Sequence, residues 1–330
     1  MNISPSRLPF VTRLPASLFA SVMGLSGLAL AWRVAAESLP VSEWIGEALG
    51  ALSVVVFLVL AAGYIAKIVQ APAAVRAEFD NPAQGSFLGT ITVSLLLLGG
   101  VLRPWVFVLA DLVWLAGATF HLLLAIALLN RWLSDPPDIR QLNPGWMIPT
   151  IGHIVAPITG APLGHVELGW FFFAVGMTFI LILYPLTFYR LVFHEKLPPV
   201  LQPTLCILIV PPAVALLAYL ALTDSFDGLA RSLFLAALFV ALLLAARIRQ
   251  FMELPFAASW WSYTFPLDAL AVAALRYHEG LDAGFSGALA VVILTITTLV
   301  VTTVFVLTLR AVRYGTLLPA AKPVLGHKAA

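Results

Sequence analysis

Four ionisable side chains interrupt otherwise apolar runs of this sequence: Asp111, His121, His153 and Asp268. Such a group inside a membrane-length apolar stretch is costly and marks a proton relay, an ion path or a buried pair. Asp268 has two readings on these grounds: a structural pair with Arg276 or Arg103, which is favoured, or a proton-coupling group. Asp111 is expected to face Arg103 or a subunit interface. His121 and His153 are expected to be hydrogen-bonded packing residues. Enzyme chemistry needs nucleophile, base or metal ligands gathered at one place, whereas acids and histidines are scattered singly here. The single cysteine, Cys206, excludes an intrachain disulfide and a Cys-based zinc site. No cofactor and no metal are expected, and without a Walker-type loop ATP-driven transport would need another subunit.

The elements that carry these residues are set by composition. Of 330 residues, 61% are hydrophobic and 10% charged, with a mean hydropathy of +1.00. Soluble domains hold about 45–50% apolar and about 25% charged residues, so the chain is an all-α polytopic membrane protein whose surroundings are the lipid bilayer. A net charge of +2 without a basic patch excludes nucleic-acid binding. Apolar runs bounded by charge, Pro or Gly predict ten spans: 16–35, 45–69, 86–102, 105–129, 147–164, 168–190, 200–221, 228–246, 255–275 and 284–309. This makes 1–15 a short N-terminal segment, 16–309 a single transmembrane domain and 310–330 a short tail. The first run lacks a cleavage motif and reads as a retained helix.

Charge placement tests the count. With ten spans, one side carries Arg7, Arg13, Lys67, Arg76, Arg131, Arg140, Arg190, Lys196, Arg247, Arg249, Arg310, Arg313, Lys322 and Lys328, and the other only Arg33, Arg103, Arg231 and Arg276. Basic residues accumulate on the cytoplasmic side, so both termini are expected in the cytoplasm.

Helix breakers divide the spans into two kinds. The odd helices carry Gly24 and Gly27, Gly89, Gly99 and Gly100, Gly152, Pro157 and Gly160, Pro211 and Pro212, and Pro266, while the even helices have one proline, Pro185. A proline inside a span frees a carbonyl that lipid cannot satisfy. The expectation is five helical hairpins, each with a kinked inner and a straight outer helix, around a narrow central pore. Ser17, Ser21 and Gly24 recur at helical spacing on one face of helix 1, as Thr90 and Ser94 do in helix 3. For any one position, close helix packing is favoured over pore lining.

Trp260-Trp261-Ser262-Tyr263-Thr264-Phe265-Pro266-Leu267 resembles a helix of the tellurite-resistance/C4-dicarboxylate transporter family, which includes the plant guard-cell slow anion channels. Supporting pieces are Leu14-Pro15-Ala16 with Gly24–Trp32, Val75-Arg76-Ala77-Glu78-Phe79 with Asn81-Pro82, and Leu168-Gly169-Trp170-Phe171. The resemblance covers nearly the whole chain. It implies hairpins in quasi-fivefold arrangement, a pore in each protomer, a homotrimer, and a gating phenylalanine that falls on Phe265. Pro266 bends the helix so that the ring can project inward, and a bulky apolar ring stops hydrated ions sterically and by dewetting. Asp268, three residues on, then has a third reading as a residue that tunes the gate.

Where family members often place proline in helices 1 and 3, this chain offers Val22 and Gly24, and Thr92 and Gly99. Ala20 stands near the gate level, where a small residue leaves room for the ring. The pore-lining candidates are thus Ser17, Ala20, Ser21, Gly24, Thr92, Gly99, Gly152, Pro157, Pro211, Ser262 and Pro266. No Arg or Lys lies mid-span, so ease of dehydration is expected to favour nitrate or bromide over chloride. The leading expectation is a bacterial inner-membrane channel for small inorganic anions. The alternative is a secondary transporter of C4-dicarboxylate, sulfite or tellurite, with or without proton coupling.

Overall fold

The computed structural model describes residues 10–281 and 284–318, and every regular element among them is helical. In chain order the main segments are α1 (Ala16–Ser38), α2 (Trp44–Gln70), α3 (Gly85–Leu102), α4 (Phe107–Ser134), α5 (144–163), α6 (Val166–Phe193), α7 (Pro199–Thr223), α8 (Gly228–Ala245), α9 (258–281) and α10 (Gly284–Arg313). Eight of them, all but α5 and α9, are long and apolar enough to cross a membrane. Prolines break α5 into short turns, and α9 carries Asp268, Arg276 and Glu279. Every run expected from the sequence is helical, and the largest shift in a boundary is at the end of α9. Arg7, Lys322 and Lys328 lie outside the described residues, as do the outer parts of the two terminal segments.

The odd and even helices differ in local geometry. Each odd segment opens with 3-10 turns: Ala16–Phe19, Gly85–Leu88, Pro144–Trp146, Pro199–Ile209 and Ala258–Tyr263. The even segments are α-helical throughout. Prolines at 144, 199 and 203 remove donors that a regular α-helix would use. In α1 and α3 the 3-10 opening forms without a proline inside it, so the departure from the family pattern in these helices costs them no local break.

Packing follows the same division. Over the most apolar stretch, 72% of α1, 67% of α3 and 72% of α7 is buried, against 17% of α2, 33% of α4, 17% of α6, 28% of α8 and 33% of α10. Each odd helix packs on the even helix that follows it, and α1 contacts α3, α3 contacts α5, α5 contacts α7, α7 contacts α9 and α9 contacts α1. Leu58, Phe120, Leu181, Phe239 and Leu299 on the even helices stay exposed. In water these faces would associate; in a bilayer they meet lipid at no cost. The chain is a multi-pass membrane protein.

A buried charge cluster fixes the start of α1. Lys67 Nζ donates to Glu78 Oε2 (2.6 Å) and to the Leu14 carbonyl (2.8 Å). Tyr64 donates to the same carboxylate (3.1 Å), and Glu78 Oε1 accepts the Ala16 N–H (2.6 Å). Glu78 comes from a short helix, Pro72–Asp80, between α2 and α3. Its carboxylate thus satisfies a free donor at the N-terminus of α1 and offsets a buried ammonium at the same time.

Candidate functional site

The site is built around the change of helix type in α9. The 3-10 stretch Ala258–Tyr263 gives way to the α-helix Thr264–Leu281, and Thr264 Oγ1 donates to the Trp261 carbonyl (2.8 Å) at the junction. Pro266 falls in the first turn of the α-helix, where its missing N–H costs nothing. Trp261 anchors the junction to α10 by donating from Nε1 to Thr308 Oγ1 (3.0 Å). The backbone of α1 comes very close here. A Cβ on Gly24 would sit 2.2 Å from Thr264 Oγ1, and one on Gly27 would sit 2.7 Å from Asp268 Oδ2. This contact sets the rotation of α9 and hence the directions of Phe265 and Asp268.

Two cavities meet at Phe265. The smaller, about 40 Å³, is walled by Ala20 and Met23 of α1, Thr90 and Val93 of α3, Ile148, Gly152 and Val155 of α5, Ile207 and Val210 of α7, and Trp261, Ser262 and Pro266 of α9. The larger, about 860 Å³, continues the same faces one or two turns on: Gly27 and Leu30, Leu97 and Gly100, Ile158 and Thr159, Val214 and Leu217, and Ala269 and Val272. All five odd helices line both. Phe265 is the one residue common to the two linings, and only 8% of it is exposed.

The walls of the smaller cavity and of the deep part of the larger one are mostly apolar, and charged residues gather at the mouth of the larger. Hydroxyls come from Thr90, Ser262 and Thr159, and the one charged side chain deep in the larger cavity is Asp268. Asp268 is 1% exposed, and neither carboxylate oxygen has a hydrogen-bond partner among the described residues. The expected pairing with Arg276 or Arg103 is not what the structure contains. Arg276 instead bonds Glu37 (2.8 Å) and Glu279 (2.7 Å) at the mouth of the cavity. Arg33 is likewise held by Glu47 (2.8 Å) and by the Val101 carbonyl (2.9 Å), and Trp105 also donates to Glu47. The bases at the mouth are thus largely compensated by acids.

Of the sequence candidates, Ala20, Gly152, Ser262 and Pro266 line the smaller cavity, Phe265 lines both, and Asp268 lines the larger. Ser17, Ser21, Gly24, Thr92, Gly99, Pro157 and Pro211 line neither. Ser21 donates to the Leu18 carbonyl (2.7 Å), and Gly24 faces Thr264. Gly99 lies against Trp114, and Pro157 against Gly169. Thr92 Oγ1 is 2.7 Å from His121 Nδ1. The His121 ring packs on His153, whose Nδ1 lies 2.8 Å from the Thr150 carbonyl. Asp111 makes no ion pair with Arg103; its Oδ1 lies 2.5 Å from His165 Nε2, and that imidazole stacks on Trp114. The lining residues absent from the sequence reading, such as Met23, Val93, Ile207, Val210 and Val214, carry a signal in their spacing. They repeat at three or four residues through Phe265 level, but apolar side chains give no hint that they face a cavity.

The same segments are shared with known proteins. A family model described as SLAC1, voltage-dependent anion channel, matches residues 13–309. The S-type anion channel SLAH3 of Arabidopsis thaliana is 32% identical over 309 residues, covering 91% of this chain and 49% of its own length. The guard cell S-type anion channel SLAC1 of the same plant is 30% identical over 323 residues, covering 94% of this chain and 58% of its own. The tellurite resistance protein TehA homolog of Haemophilus influenzae is 25% identical over 270 residues, 81% of this chain and 82% of its own. The chain therefore spans only about half to three-fifths of the length of these plant relatives. Matched from just before α1 to the last turns of α10, it belongs to the SLAC1 family of the voltage-dependent anion channel model.

Proposed function

We propose that this protein is an anion channel that passes small monovalent anions, nitrate, chloride and bromide, through a pore in each protomer, with Phe265 as the gate. The observation that carries this reading is that Phe265 alone is common to two cavities lined by the same five odd helices. A single bulky ring between them leaves no hydrated path, and an apolar constriction excludes ions by dewetting as well as by size. In this reading the ten helical segments all span the membrane as five hairpins in quasi-fivefold arrangement, and three protomers assemble. Both termini lie in the cytoplasm of a bacterial inner membrane, as the distribution of Lys and Arg along the sequence supports. The names of the plant relatives, S-type anion channels, support anion transport.

Selectivity follows from what the wall lacks. With Arg33 and Arg276 of the mouth held by glutamates and no base lining the cavity beyond the mouth, no fixed cation stands along the narrow part of the path. The cost of shedding water then ranks the anions, and nitrate and bromide pass more readily than chloride. Reversal potentials in nitrate and chloride test this order; chloride-favouring permeability would overturn it.

A second reading is favoured by the unpartnered Asp268: a proton-coupled secondary transporter of C4-dicarboxylate, sulfite or tellurite. Some relatives carry transporter names, among them an uncharacterized transporter of Methanocaldococcus jannaschii. The two readings separate in one experiment. Coupling moves the reversal potential with the proton gradient, whereas a channel with a gate leaves it on the anion gradient. Removing the Phe265 ring tests the channel directly.

A further inference from the structure

We propose that Asp268 is a proton-binding site in the wall of the anion pathway, and that occupancy of this site by a proton sets how readily anions pass the Phe265 level. The inference rests on the channel reading above and goes beyond it, because it names a ligand and a control that the ring alone does not provide.

Three observations carry it. Asp268 sits one turn beyond Phe265 on α9, roughly 4.5 Å along the axis, and both residues line the larger cavity. The carboxyl is 1% exposed, with no partner on either oxygen. The surface of α1 against it is Gly27, whose missing side chain gives the carboxyl its space and offers it no donor.

The remaining groups around the cavity do not supply a counter-charge. α5 presents Ile158 and Thr159, and α7 presents Val214 and Leu217. From α10, Thr297 is engaged with the Leu267 carbonyl (3.2 Å). The charged residues facing the cavity belong to its mouth: Arg33 and Glu37 of α1, Glu43 and Glu47 about the start of α2, Arg103 after α3, Asp224 after α7, and Arg276 and Glu279 toward the end of α9. None forms an ion pair with Asp268, and Arg33 and Arg276 are committed to Glu47, Glu37 and Glu279. A carboxylate left bare in an apolar wall is strongly disfavoured, and a proton is the partner that the cavity can deliver. With the proton bound, the carboxyl is a neutral wall group that can donate one hydrogen bond to an anion. Without it, a fixed negative charge stands beside the narrowest point and lowers anion passage about tenfold or more at an effective dielectric of about 20.

The test uses the full-length protein in planar bilayers, with Phe265→Ala to open the pore. Chloride current is recorded from about pH 5 to about pH 9, the range over which buried carboxyls titrate. The expected result is a current that falls about tenfold toward alkaline pH in Phe265→Ala, and stays level in Phe265→Ala/Asp268→Asn. Phe265→Ala/Asp268→Ser must also be level, which separates loss of the ionisable group from a packing defect. An equal pH dependence in all three variants would overturn the proton site while leaving the channel intact. A reversal potential that follows the proton gradient would overturn it in favour of coupling. Absence of current from every variant present in the membrane would remove the channel reading itself, and this inference with it.

Discussion

Gly24 and Thr264 compete for one position at the crossing of α1 and α9: a Cβ on the glycine would lie 2.2 Å from the threonine Oγ1 and 2.7 Å from its Cβ. Three residues on, Gly27 stands in the same relation to Asp268. The two contacts lock α9 against α1 at the height of Phe265. The direction of the ring is therefore a property of two glycines on another helix as much as of α9 itself.

Gly24→Ala is expected to force α9 outward, because the clash falls on a short branched side chain that is itself bonded to the Trp261 carbonyl. Overpacking of this kind costs about 1–3 kcal/mol. Thermal unfolding of the detergent-solubilised protein should show a lower midpoint for Gly24→Ala, and Thr264→Ser in the same chain should not restore it fully. An unchanged midpoint would mean that the crossing is looser than described.

Glu78→Gln is expected to destabilise by about 3–5 kcal/mol, since it leaves the buried Lys67 ammonium uncompensated. Lys67→Met combined with Glu78→Met removes both charges and should recover much of the loss. Denaturation of the wild type and the two variants side by side checks this. If the double variant is the least stable of the set, the pair contributes more than charge compensation.

Asp227 gives a pH dependence whose sign is fixed. Its carboxylate accepts from the Tyr219 hydroxyl (2.6 Å) and from the N–H groups of Leu229 (2.9 Å) and Ala230 (3.0 Å) at the start of α8. The tyrosine bond first, then the backbone bonds, hold its pKa below the usual carboxylate range. A lowered folded-state pKa contributes stability above the unfolded value, and that contribution is lost as pH falls through the folded one. Amide exchange in the turn between α7 and α8 should therefore quicken as pH drops below about 4, beyond the intrinsic rate change. Asp227→Asn should abolish the pH-dependent part.

Much of the fold was legible in the sequence because lipid imposes a simple code: apolar length, punctuated by charge and proline. The 3-10 openings of α5 and α7 trace to Pro144, Pro199 and Pro203 in the same way. The orientation of α1 was less accessible. Ser17, Ser21 and Gly24 form a stripe of small residues, yet the cavity takes the neighbouring face, Ala20, Met23 and Gly27. Small residues serve close packing and open space equally well, so a stripe alone cannot assign the face. The surroundings of Asp268 and Asp111 were less accessible for a different reason. Their partners depend on which helices meet: Arg276 is captured by Glu37 from α1, and Asp111 by His165 from the turn before α6. One sequence read alone does not hold those distances.

The central claim is that one aromatic ring closes an otherwise continuous anion path. The measurement is anion current through the purified protein in planar bilayers, wild type beside Phe265→Ala, with chloride and then nitrate as the permeant ion. The account predicts a nearly silent wild type and a strongly conducting variant, with nitrate passing more readily than chloride. Equal and negligible currents from both proteins, each verified in the membrane, would contradict it.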